Sequence, residues 1–159
     1  MSRRDQIVMT KAEVDTYLQN KLTVVINSIA RDGVPHPAPM WFAIEDDGAI
    51  VMTTFTKSQK IQNLKRDPRV SLLCEDGTVY AELRGVIMYG DVELEEDVDA
   101  VVAILAAIGR RSASGVVSAS ALSETEQAGV RAQAKKRTLI RLRPTKIVSW
   151  DHRKLGGVY

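Results

Sequence analysis

Residues 53–73 read TTFTKSQKIQNLKRDPRVSLL, and this stretch decides the fold. An apolar strand, residues 50–55, runs into Thr56-Lys57-Ser58-Gln59-Lys60. A short helix follows, with Ile61 and Leu64 on its buried side. Asp67-Pro68 stops it, because the residue before a proline is pushed out of the helical region, and a second apolar strand opens at Val70. A strand-to-helix turn built this way is an anion site on physical grounds. The first N–H groups of a helix lack intrahelical partners, and the helix dipole favours negative charge there. Lys57 and Lys60 add formal charge. Ser58 and the threonines Thr54 and Thr56 add donors of the kind a phosphate uses. An ordinary helix cap beside solvated lysines has the same local chemistry, so the turn alone leaves both readings open.

Upstream, Thr10 and Glu13 have the spacing of a capping box. They open a short helix with Val14, Tyr17 and Leu18 on one face. Residues 22–30 are β-rich, and Arg31-Asp32-Gly33 turns them back. The next strand, residues 34–44, carries Pro35, Pro37 and Pro39 at every second position. Alternate residues of a strand point their hydrogen-bonding groups to the same edge, and proline has no N–H. One edge therefore loses three successive donors. It is either protected against aggregation or borders a cofactor cleft. Glu45-Asp46-Asp47-Gly48 then closes a hairpin onto residues 49–55.

Downstream, residues 70–75 and 79–83 are expected to pair around Asp76-Gly77. Gly85 is expected to mark a bulge or bend, with a strand continuing over 86–94. Glu95-Glu96-Asp97 places acids at the start of a helix bearing Val98, Val101, Val102, Leu105 and Ile108, with Gly109 as its C-cap. Residues 110–120, rich in Ser, Ala and Gly, read as a loop. Ser123 and Glu126 form a second capping box, opening a surface helix that runs to about Lys136. Residues 138–143 alternate, with Ile140 and Leu142 against Arg141 and Arg143. Residues 146–150 finish the sheet. Short strands at this spacing predict a closed or nearly closed barrel, a mainly β fold with peripheral helices (α+β).

The 159 residues, 45% of them apolar, suit one domain over 1–159 with a real core. No apolar run reaches the ~18 residues that span a bilayer, and the first residues do not read as a signal peptide. The one cysteine, Cys74, excludes an internal disulfide and reads as a buried strand residue, so a cytoplasmic setting is expected. A net charge of +2 is too small to imply nucleic acid. Basic clusters at 57–69 and 135–143 are solvated faces or partners of anionic small molecules. His36 and His152 have no neighbours at metal-ligand spacing, so no metal site is expected. No dinucleotide, Walker or nucleophile-elbow motif is present. No acid–base constellation can be read out and the catalytic residues stay unknown, which fits an enzyme whose cofactor carries the chemistry.

The order strand, basic hydroxyl-rich turn, helix, Asp-Pro stop and Val70-Ser71-Leu72-Leu73 resembles the flavin-phosphate turn of the split β-barrel superfamily that includes pyridoxamine 5′-phosphate oxidase. The likeness covers roughly residues 10 to 94. Ser58-Gln59-Lys60, Asn63-Leu64 and Arg66-Asp67-Pro68-Arg69 are similar to the deazaflavin branch, which uses coenzyme F420 rather than FMN. The closing stretch from Ser149 to Gly156 is similar to the same branch. The resemblance implies a homodimer with the cofactor at its interface and hydride transfer to a small unsaturated substrate. It implies a phosphate on Ser58 and Lys60 with Lys57, Thr54 and Thr56 nearby, and a ring system along Pro39, Met40 and Trp41. Lys65, Arg66 and Arg69 are candidates for the acidic tail of F420. Close relatives in that branch can carry Arg where this chain has Ser58, so FMN stays open as the alternative cofactor. A non-catalytic flavin, deazaflavin or haem-like binding protein is the rival reading. Pyridoxamine phosphate oxidation is less expected, because the Arg-rich C-terminal segment associated with that substrate is missing.

Overall fold

The computed structural model describes residues 2–112 and 123–157. Among the described residues there are eight antiparallel strands and five α-helices. The helices are α1 (Arg3–Ile7), α2 (Lys11–Gln19), α3 (Gln59–Arg66), α4 (Val98–Arg111) and α5 (Glu124–Ala134). The strands are β1 (Thr23–Ile29), β2 (Pro35–Trp41), β3 (Ala43–Ile44), β4 (Ile50–Phe55), β5 (Arg69–Asp76), β6 (Arg84–Glu95), β7 (Arg137–Leu142) and β8 (Lys146–Asp151). The sheet runs β2-β1-β5-β6-β7-β4-β3, with β8 paired to β6. β2 and β3 lie at opposite ends of this order, yet only the fully buried Phe42 separates them in the chain. The sheet must therefore curl until its two ends meet, which makes the split barrel.

Met52, Ile26, Leu72, Met88 and Ile140 fill the interior, with Val14, Tyr17 and Leu18 of α2 packed beneath. A second cluster joins Val51 and Leu139 to Val101, Ile104 and Ile108 of α4. β7 thus buries both faces, where the sequence pattern had one face charged. Among the described residues no helix is long and apolar enough to cross a membrane.

The capping boxes at Thr10 and Ser123 form as expected. Three expectations fail, each for a local reason. Residues 79–83 are not a strand. Asp76 takes Lys21 and, at 2.8 Å, Arg84, so pairing resumes only at Arg84, and Tyr80–Glu82 forms a 3₁₀ turn. Gly85 marks no bulge, because the register runs unbroken from Asp76↔Arg84 through Glu75↔Gly85 to Cys74↔Val86. Its role is a close approach: a Cβ there would lie 2.4 Å from the Trp150 ring. Gly109 does not cap α4. The helix continues to Arg111, whose guanidinium reaches back to cap α2, donating to the carbonyls of Leu18 (2.8 Å) and Lys21 (2.6 Å). Of the loop expected at 110–120, residues 110 and 111 are helical and 113–120 lie outside the described residues.

Candidate functional site

β4 delivers the chain to the turn. Thr53 and Thr54 are buried, Phe55 is exposed, and Ser58 N–H closes the turn by donating to Phe55 O at 2.9 Å. Thr56 N–H donates to Lys136 O at 3.0 Å, which ties the turn to the start of β7. α3 begins at once. Its helical signal is the apolar pair Ile61 and Leu64, both buried, and its foot is the fully buried Asn63. Asn63 donates to the Ser28 hydroxyl of β1 (3.1 Å) and accepts from Gln59 (3.0 Å), fixing the helix against the sheet.

The N-terminus of α3 differs from those of the other helices. Ser2, Thr10, Asp97 and Ser123 each accept a backbone N–H at their own helix start. Ser58 occupies the same N-cap position in the same extended conformation, yet its hydroxyl makes no cap bond. That oxygen is buried and has no hydrogen-bond partner among the described residues. Serine at an N-cap normally accepts from the second or third helical N–H. A buried hydroxyl left unsatisfied costs free energy unless something binds it.

Lys60, two residues along, is partly buried. Its ammonium donates to Thr54 Oγ1 at 3.3 Å and meets no carboxylate among the described residues. Burial lowers its pKa, because desolvation disfavours the charged form. The Thr56 hydroxyl accepts from Thr138 at 3.0 Å. Lys57 is exposed. The structure thus gathers Thr54, Thr56, Lys57, Ser58 and Lys60 at one end of β4.

Pro39, Met40 and Trp41 lie on β2. Met40 points into the core, whereas Pro39 and Trp41 are exposed. Beyond Phe42 the chain pairs with the start of β4, Ala43 with Val51 and Ile44 with Ile50. β2 and the second half of β4 do not pair. The threonines and Lys60 lie at the end of β4, and the prolines lie on β2 at the other end of the strand order.

Sequence reasoning missed Arg137. It sits opposite Phe55 in the β4–β7 ladder, with its guanidinium 4.5 Å from the Phe55 ring and its buried Nε unpartnered among the described residues. The alternation that located β7 began one residue later, so nothing in the pattern singled it out. His36, on β2 opposite Ser28, also has a buried, unpartnered Nδ1. The three tail candidates already have protein partners: Lys65 pairs with Glu96 (3.1 Å), Arg69 with Asp67 (2.7 Å), and Arg66 donates to Ile29 O.

Residues 10–151 match the family model described as pyridoxamine 5′-phosphate oxidase. The chain is 36% identical to a solved structure, the conserved hypothetical protein Rv2991 of Mycobacterium tuberculosis, over 100% of this chain and 95% of that one (TM-score 0.85). It is 26% identical to a solved F420 reductase over 84% of this chain and 94% of that one (TM-score 0.63). The haem storage protein HutZ of Vibrio cholerae, at 14% identity over 87% and 94% of the two chains, shares the fold (TM-score 0.58). No curated protein matches.

Proposed function

This chain belongs to the pyridoxamine 5′-phosphate oxidase family, and from that premise we propose that it is an oxidoreductase binding coenzyme F420 and acting on a small unsaturated organic substrate. The carrying observation is the buried Ser58 hydroxyl without a partner at the start of α3. It lies in a turn beside the cations Lys57, Lys60 and Arg137, and the carboxylate that comes near, Glu96 at 3.5 Å from the Thr138 hydroxyl, is paired with Lys65. A phosphate group fits that donor set, since it brings acceptor oxygens and negative charge to a helix N-terminus. Ser58, Lys60 and the first N–H groups of α3 would hold it, with Lys57, Thr54 and Thr56 beside them. Of the three β2 candidates, Pro39 and Trp41 are exposed and would orient the ring system, whereas Met40 is buried in the core and only supports the strand. When bound, the reduced deazaflavin supplies a hydride. The chain's own part is to bind, to orient and to neutralise charge. The 26% identity to an F420 reductase favours the deazaflavin over FMN.

We further propose a homodimer. In the register, Pro39, Val25, Leu73, Ile87 and Val148 lie side by side across five strands on the outer face of the sheet. Such an apolar row on a sheet face suits a second copy of the same chain. A cytoplasmic setting fits a chain whose one cysteine is buried and unpaired. The test is a pair of titrations of the purified protein, with F420 and with FMN, followed by turnover of reduced F420 against a panel of unsaturated substrates. Tighter F420 binding with turnover is expected. A preference for FMN overturns the cofactor assignment, and tight binding without turnover overturns the enzymatic one.

A further inference from the structure

The β4–β7 ladder brings a second basic segment against the turn. Phe55 pairs with Arg137, Thr56 N–H donates to Lys136 O at 3.0 Å, and the Thr138 hydroxyl donates to Thr56 Oγ1 at 3.0 Å. Lys135, Lys136 and Arg137 are consecutive, and the buried Ala134 and Thr138 fix the segment at its two ends. Lys57, Lys135 and Lys136 are exposed. None of these four cations has an ion-pair partner among the described residues. The guanidinium of Arg137 is held 4.5 Å from the Phe55 ring by a cation–π contact, and its buried Nε is unpartnered. Cations suit the end of α5, where the helix dipole is negative, which accounts for Lys135 and Lys136 but not for Arg137. The whole chain has a net charge of +2, so four unpaired cations here are a local excess.

We infer that the strip Lys135-Lys136-Arg137, with Lys57 in the adjoining turn, is a subsite for a chain of carboxylates, the acidic tail of F420, an inference that rests on the function proposed above. A chain of carboxylates needs successive cations that are not already neutralised. The cations further along α3 do not qualify. Lys65 is taken by Glu96, Arg69 by Asp67, and Arg66 by the carbonyl of Ile29. The strip does qualify, and a single backbone hydrogen bond separates it from the turn that ends at Ser58. FMN and F420 both carry a phosphate, and F420 alone carries carboxylates beyond it. Discrimination between them then comes from the strip rather than from Ser58 and Lys60.

The experiment measures the affinity of the full chain for intact F420 and for F420 whose oligoglutamate has been removed, at low and at high salt. The intact form is expected to bind on the order of tenfold more tightly at low salt, as several exposed ion pairs each contribute a small factor. The difference should close at high salt, where such contacts are screened. Arg137→Gln and the double variant Lys135→Glu with Lys136→Glu are each expected to lower the affinity for intact F420 toward that for the trimmed form. Lys65→Glu, a charge reversal on α3, should leave the ratio as it is in the parent. The parent's own ratio is a test that depends on no variant. Equal affinities in the parent overturn this inference alone. So does a ratio that survives in the strip variants, with their folding verified by circular dichroism, or one that Lys65→Glu abolishes instead. Failure of the parent to bind either form overturns the proposed function and this inference with it.

Discussion

Lys60 holds its ammonium against the Thr54 hydroxyl at 3.3 Å, partly out of water and with no carboxylate beside it among the described residues. Its pKa is lowered by burial, so the folded chain holds that proton less firmly than the unfolded chain. The sign follows. Charged Lys60 costs stability at neutral pH, and the cost fades as pH rises through its lowered value toward the unfolded pKa of ~10.4. A bound phosphate supplies the missing anion and reverses the cost. Lys60→Ala is therefore expected to keep or slightly raise the thermal midpoint while weakening cofactor binding. A charge-assisted bond contributes roughly 1.5–3 kcal/mol, about a ten- to hundredfold change in affinity. The loss should shrink as salt rises, because the contact is electrostatic. Lys65→Ala is the control, since Lys65 lies on the same helix but pairs with Glu96. Titration of both variants at low and high salt decides it. If Lys60→Ala binds like the parent, the phosphate site lies elsewhere.

Among the elements, those with strong local signals were legible in the sequence. The capping box at Thr10, the proline alternation of β2 and the Asp67-Pro68 stop of α3 are each written in a few adjacent residues, and the structure keeps all three. The edge position of β2 followed from proline chemistry alone. What was not legible depends on partners far along the chain. Gly85 reads as a break until Trp150, 65 residues on, is seen lying against it. Arg137 joins the site only through its pairing with Phe55. Arg111 read as part of a loop, because its work is done on α2. It donates to three carbonyls at or beyond the end of that helix, those of Leu18, Gln19 and Lys21, and packs 4.9 Å from the Phe42 ring. Helix-end carbonyls need such donors. Arg111→Met keeps the packing bulk and removes the donors. It is expected to cost roughly 2–3 kcal/mol in urea unfolding while leaving cofactor affinity unchanged. A loss below about 0.5 kcal/mol, the range of ordinary surface substitutions, would mean that water serves those carbonyls as well as Arg111 does.

At the scale of the whole molecule, one crossing organises everything. The chain passes from one end of the sheet to the other through Phe42, which closes the barrel and leaves β2 and β4 unpaired with each other. The interior is filled by residues on one face of each strand. The opposite face divides: α4 and α5 cover β4 and β7, whereas the row from Pro39 to Val148 stays partly open. Val25, Leu73, Ile87 and Val148 are only half-buried there, with the exposed Trp41 and Tyr89 in the neighbouring rows. A sheet face of this kind calls for a cover, and two-fold symmetry lets identical rows cover each other. Leu73 is the middle member of the row, between Val25 and Ile87. Leu73→Asp would place two carboxylates near the symmetry axis, where each loses water and repels the other. The parent is expected to run as a dimer in light scattering at micromolar concentration, and Leu73→Asp as a monomer. Because Leu73 is half-buried in the single chain, the monomer should stay folded by circular dichroism. Pro39 lies in the same row and is one of the residues proposed to hold the ring, so the monomer should also bind F420 more weakly. A parent that scatters as a single chain at every concentration removes the dimer from the proposal. A dimer untouched by Leu73→Asp moves the interface to another face.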